Sequence, residues 1–164
     1  MRSYRGGEYK YKQFEKNCEY IGFERQLTVG FTPKQNGVAE RKNRTIVEMA
    51  RTMMNEKGLP LTFWAEATYT AIYLLNRCPK KAVEKKTPFE AWSGGRKPSV
   101  NHLKVFGSMC YAHVPKEMRN KLEPKGEKCV FVRYSTKSKG YRLFSLKRNK
   151  VIKSRDVIFA ENEK

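Results

Sequence analysis

Apolar positions are spaced in two ways along this chain, and the change falls between residues 80 and 101. Before it they recur every three to four residues, the repeat of a helix that buries one face. Tyr11, Phe14, Cys18 and Ile21 form one such series, with Gly22 where a left-handed residue would stop the helix. Phe23, Arg25, Leu27 and Val29 then alternate with Glu24, Gln26 and Thr28, as in a short half-buried strand. Residues 30–33, Gly-Phe-Thr-Pro, force a turn. A long helix is predicted from Asn36 or Gly37 to about Glu56, with Ile46, Met49, Ala50 and Met53 inward and Gly58 ending it. Pro60 opens a further helix, at a first-turn position whose N–H has no helical partner. Trp64, Ala67, Ala71, Leu74 and Leu75 line its inner face, and Pro79 closes it.

Residues 80–101 carry Lys80, Lys81, Lys85, Lys86, Pro88, Gly94, Gly95 and Pro98, the composition of a linker. Beyond it the pattern is β. Segments 104–114, 128–134, 141–146 and 151–159 predict four short strands, with turn-rich stretches at 135–140 and 147–150. Strands at that spacing suggest a small closed or sandwich-like sheet. The domain reading is therefore 1–79, a linker over 80–101, and 102–164.

Composition adds a partner class. With 39% hydrophobic and 12% aromatic residues the chain can build a core. Its 35 Lys+Arg against 16 Asp+Glu give a formal charge of +19, an excess that opposes compaction and suits a polyanion, above all nucleic acid. Residues 101–164 hold 16 of the basic and 6 of the acidic groups. Asp156 is the only aspartate, so chemistry needing several Asp ligands is excluded for this chain by itself. No apolar window is long enough to cross a membrane and the N-terminus lacks a signal-peptide pattern, so a nuclear or cytoplasmic location, not a secreted one, is expected. Cys18, Cys78, Cys110 and Cys129 are scattered and His102 and His113 stand apart. That spacing supplies no zinc site and reads as reduced, buried cysteines and structural histidines.

Two regions could carry chemistry. In residues 31–45, Lys34, Gln35 and Asn36 precede a helix whose first turns hold Glu40, Arg41, Lys42 and Arg44. Free backbone N–H groups and the positive dipole end suit phosphate there, and a carboxylate among cations could hold a divalent metal beside a phosphodiester. The simpler reading pairs Glu40 with Arg44 at i,i+4 on a solvated face, and on physics alone it is the commoner arrangement. In the β part, Tyr134, Tyr141 and Phe144 lie among Lys137, Lys139 and Arg142. They form either a stacking surface for a nucleic-acid strand or sheet core beneath solvated charges.

The segment TPKQNGVAERKNRT resembles the surroundings of the catalytic glutamate in copia-type LTR-retrotransposon integrases, and RSYRGGEY resembles the family's R-S-D-x-G-G-E-Y stretch. Tyr4 stands where the family has its second Asp, and 35 residues separate it from Glu40, the family's spacing. FWAEATYTAIYLLNRCP, KTPFEAW, KPSVNHLKVFG, GYRLF and VIKSRDVIF look like the same polyprotein, so the resemblance covers essentially the whole chain. It implies an α/β fold: a truncated RNase H-like integrase core, mostly a helical remnant, followed by a small all-β SH3-like barrel. It also implies DNA as partner, self-association as in intact integrases, and Mg or Mn in the intact family, with no cofactor in this chain.

The departures are chemical. Strand transfer in this family uses two metals held by three carboxylates, and a phenol with a pKa near 10 cannot replace a carboxylate. The family's first Asp has no counterpart here, so Glu40 is the one remaining acidic residue and a vestigial metal ligand. Arg133 replaces a usual Gly, which points to a distorted strand or an outward side chain. The reading is an integrase fragment, ancestrally for DNA integration, that binds nucleic acid without catalysis. A standalone basic module on DNA or chromatin and a decayed, non-folding reading frame remain as alternatives. Without the early core strands, both long helices are expected to expose apolar faces.

Overall fold

A computed structural model describes residues 2–3, 12–22, 26–27, 37–135 and 138–162. The chain divides into two compact units, Met1–Thr45 and Ile46–Lys164. In the first, strands β1 (Arg2–Ser3) and β2 (Gln26–Leu27) pair in parallel, and helix α1 (Lys12–Tyr20) lies between them in sequence. A parallel pair needs such a crossover, because two strands running the same way cannot be joined by a tight turn. Cys18 is buried as expected, but Ile21 is exposed. The helix has already stopped at Tyr20: Gly22 is left-handed (φ 75°) and its N–H donates to Glu19 O at 3.0 Å, which turns Ile21 off the helical face. The remainder of the strand predicted over 23–29 lies outside the described residues.

Helix α2 (Gly37–Glu56) has the predicted bounds, and the division between the units falls inside it. Gly58, at φ 59°, ends it, with Leu59 N–H donating to Met54 O at 3.0 Å. Ala50 and Met54 are its buried positions, while the predicted Ile46, Met49 and Met53 are only partly covered. Ala50 and Met54 pack with Ala67 and Phe106 in one cluster. Gly107 follows Phe106 with φ 78°, and a Cβ there would stand 2.8 Å from Lys57 Cβ, so only glycine lets this loop reach the end of α2.

After a single 3-10 turn (Leu61–Phe63), helix α3 runs over Trp64–Leu75. Its buried face is Ala67, Thr70 and Ala71, small side chains that let a strand come close. Thr70 Oγ1 donates to Val132 O at 3.2 Å. Trp64, predicted inward, is 37% exposed. The expected bare inner face of this helix is therefore corrected: the strand over Gly126–Tyr134 covers it.

Residues 80–101 contain a short helix, α4 (Pro88–Trp92), closed by a reciprocal capping box. Thr87 Oγ1 accepts from Glu90 N–H at 3.1 Å and Glu90 Oε2 accepts from Thr87 N–H at 2.7 Å. These bonds hold the Glu90 carboxyl below its ordinary value. Phe89 N–H donates to Asn76 O at 2.9 Å, fastening the stretch to the end of α3.

Five antiparallel strands follow, β3 (Met109–His113), β4 (Gly126–Tyr134), β5 (Tyr141–Ser145), β6 (Lys150–Ser154) and β7 (Val157–Ala160), in the order β6-β5-β4-β3-β7. The predicted single strand over 151–159 is two. It breaks at Arg155–Asp156, where Asp156 O accepts from His113 N–H at 3.0 Å, so β6 pairs with β5 and β7 with β3 at opposite edges. Cys110, Ala112, Cys129, Phe131, Tyr134 and Leu143 form the core. Strand β4 is buried without alternation at 129–132 because core side chains cover one face and α3 the other. Three of the four cysteines are buried as predicted, but Cys78 is exposed, and all are free thiols. Burial pushes the Cys110 and Cys129 thiols up to about 12 and about 11, so neither is a nucleophile at neutral pH.

Candidate nucleic-acid interface

Glu40, Arg41, Lys42 and Arg44 share the first turns of α2 and are all exposed. The alternative pairing of Glu40 with Arg44 is not made, and no described residue forms an ion pair with Glu40. Tyr4, Lys34, Gln35 and Asn36 lie outside the described residues. Among the described residues no group of three His, Cys, Asp or Glu side chains could hold a metal ion. Among the described residues Glu40 is a single exposed carboxylate flanked by cations, a donor set that does not fit a divalent metal.

In the second unit the aromatic candidates resolve toward core. Tyr134 is 2% exposed, and its hydroxyl accepts from Lys104 N–H and donates to Lys104 O, both at 2.9 Å. Burial raises that phenol to about 12. Tyr141 donates to His102 O at 3.0 Å, and Phe144 meets Phe63 edge-on with centroids 5.0 Å apart. Tyr134 offers no open ring face, and Tyr141 and Phe144 are half-buried, so the three do not form a platform for successive bases. His102 is likewise structural, its Nε2 lying 2.7 Å from the Tyr73 hydroxyl. Burial, with a smaller push from Arg77, holds its pKa below the ordinary value.

The predicted basic residues separate in role. Lys137 lies outside the described residues, and Lys139 is exposed in the β4–β5 connection. Arg142 points to α3, where its Nη2 donates to Glu66 Oε1 at 2.7 Å. Arg133 joins it, with Nε 3.3 Å from Glu66 Oε2 and its guanidinium 4.5 Å from the Tyr69 ring centroid. The distorted-strand reading of Arg133 fits, since the β4–β5 register shifts between Phe131 and Arg133, whereas the side chain does not point outward but packs against α3. Arg148 is also engaged, by the buried Glu127 at 2.9 Å, whose other oxygen accepts from Ser145 Oγ.

Other cations carry no such partner. Lys116, Lys121 and Lys125 line the β3–β4 connection, and Lys147, Lys150 and Lys153 the β5–β6 hairpin; all are exposed and none forms an ion pair among the described residues. Sequence reasoning singled out none of these six. The signal was present in Lys147-Arg148-Asn149-Lys150, a basic turn that only the hairpin pairing projects away from the core. Glu66 was missed too, and nothing local marks a carboxylate whose partners lie 67 and 76 residues onward.

Residues 108–164 match the family described as the Retroviral polymerase SH3-like domain, a range that coincides with β3 to β7. Over 163 residues, 99% of this chain, the sequence is 47% identical to the retrovirus-related Pol polyprotein from transposon TNT 1-94 of Nicotiana tabacum. The chain is similar over nearly its whole length to copia-type retrotransposon Pol polyproteins. A second relative, the Pol polyprotein from transposon RE2 of Arabidopsis thaliana, is 38% identical over 79% of the chain. The chain spans 12% of the first Pol polyprotein and 9% of the second. Among solved structures, a simian T-cell lymphotropic virus intasome in complex with PP2A regulatory subunit B56 gamma has 15% identity and a TM-score of 0.45, covering 94% of this chain and 57% of that one. The family match gives the five-stranded sheet its family, SH3-like, and the structure has the element order predicted from sequence, helices first and sheet after.

Proposed function

We propose that this Pol segment is the integrase part of its polyprotein and that, as a 164-residue chain, it binds nucleic acid through phosphates without strand transfer. The observation that carries the reading is the set of exposed lysines on the SH3-like unit that form no ion pair among the described residues. Lysines held free of carboxylates keep their charge for an external anion, whereas the three arginines bound to Glu66 and Glu127 serve the fold. Exposed lysines approach phosphates as point charges and read no base edge, so the binding is sequence-tolerant. The absence of strand transfer follows from the ligand count: Tyr4 is a phenol and Asp156 the only aspartate, which leaves Glu40 as one carboxylate where the chemistry needs three.

Fluorescence anisotropy with labelled duplexes of unrelated sequence tests the binding reading. Affinities within about threefold of one another are expected, because phosphate contacts dominate. A single sequence preferred by about a thousandfold, the range of specific readers, would contradict it.

A further inference from the structure

A cavity of about 780 Å³ opens in the second unit between the end of α3, the β4–β5 connection and the bend joining β6 to β7. Gly140 shapes it. A Cβ on Gly140 would lie 3.0 Å from Ser154 O, a tight contact, so glycine lets the β4–β5 connection rest closely against that bend. The contact brings Lys139, just before the glycine, and Arg155, just after Ser154, into the lining of one cavity. Both are exposed, and neither has an ionic partner among the described residues.

The deeper lining is aromatic and fixed. Tyr73 stacks on Tyr134 with centroids 4.4 Å apart, its hydroxyl meets His102, and Tyr141 bonds His102 O. Tyr73, His102 and Tyr141 are half-buried and face the cavity. The site thus joins an uncharged aromatic wall to a dicationic rim, in a volume typical of small-ligand sites. A nucleotide has the matching halves, a flat base and a phosphate. A base stacked inside a duplex cannot enter such a recess, whereas an unpaired one can.

We propose that this cavity holds one unpaired nucleotide of a nucleic-acid strand, its base against His102 and Tyr141, beside the Tyr73 ring whose faces Tyr134 and Arg77 already cover, and its phosphate at Lys139 and Arg155. The proposal rests on the nucleic-acid reading above and deepens it.

The test compares the full chain on a blunt duplex and on the same duplex carrying a single-stranded overhang of about four nucleotides. The overhang is expected to bind about tenfold tighter, the low end of what stacking one base contributes. Two variants should abolish that difference while leaving blunt-duplex binding measurable. Lys139→Ala/Arg155→Ala removes the rim charges, and Ser99→Trp fills the cavity from an exposed lining position without changing charge. Lys147→Ala/Lys150→Ala should weaken both duplexes equally and preserve their ratio. Equal affinity for both duplexes in the unaltered chain would overturn the cavity proposal and leave phosphate binding intact. No binding to either would overturn both. A free 5′-mononucleotide that binds as tightly as the overhang would overturn the assignment to a strand.

Discussion

The affinity of this chain for duplex DNA is expected to fall about a thousandfold between 50 and 200 mM salt. Each phosphate neutralised by a lysine releases condensed counterions, and the logarithm of the binding constant drops by about 0.9 per contact for each tenfold rise in salt. Six exposed lysines, Lys116, Lys121, Lys125, Lys147, Lys150 and Lys153, supply about six contacts, and fourfold more salt then removes about three powers of ten. Replacing Lys147, Lys150 and Lys153 with alanine should reduce the slope by about three contacts. Arg142→Ala should change it little, because that guanidinium is bound to Glu66. Anisotropy titrations across the salt series provide the measurement. A flat affinity, or a slope untouched by the triple substitution, would contradict this assignment of the contacts.

The second large effect falls on stability. Glu66 is the only carboxylate paired with Arg133 and Arg142 among the described residues, and all three side chains are at least three quarters covered. Glu66→Ala would leave two covered guanidinium groups facing each other without a counter-charge. Removing one partner of a fully buried pair costs about 3–5 kcal/mol, and partial solvent access here lowers that to about 2–3 kcal/mol. Glu66→Gln keeps an acceptor for Arg142 and should cost about 1 kcal/mol. Replacing Glu66, Arg133 and Arg142 together with leucine should recover most of the loss, since apolar side chains of similar size remove the desolvation problem. Urea denaturation of the four proteins measures these differences. A Glu66→Ala midpoint equal to that of the unaltered chain would show that the cluster does not hold α3 to the sheet.

Legibility in the sequence followed the range of each interaction. The bounds of α2 were readable because Gly58 and the helical repeat are local signals, and Gly22 and the β4–β5 turn were readable for the same reason. The break at Arg155–Asp156 was not, because 151–159 reads as one apolar run and only the pairing of β7 with β3 splits it. The small face Ala67-Thr70-Ala71 shows what α3 needs, a close neighbour, but not that β4 supplies it. Thr87-Pro88-Phe89-Glu90 carried a helix-start signal that the surrounding lysines and glycines obscured. In the candidate interface, Glu40, Arg41, Lys42 and Arg44 were legible as one exposed group, since they share two turns of one helix. The roles of Arg133, Arg142 and Arg148 were not. Whether an arginine is spent on the fold depends on a carboxylate reached only through the tertiary structure.

The most direct measurement of the central claim, binding without strand transfer, is an oligonucleotide strand-transfer assay on one preparation that also retards duplex DNA. Three proteins are compared in Mg²⁺ and Mn²⁺: the 164-residue chain, Tyr4→Asp, and Tyr4→Asp/Glu40→Gln. Tyr4→Asp restores the pair of acids at the family's spacing, yet the third carboxylate has no counterpart in this chain, and a metal short of a ligand loses the geometry that aligns the attacking and leaving oxygens. The predicted result is duplex binding by all three and metal-dependent product from none. Product from the unaltered chain, or product from Tyr4→Asp that disappears in the double variant, would contradict it.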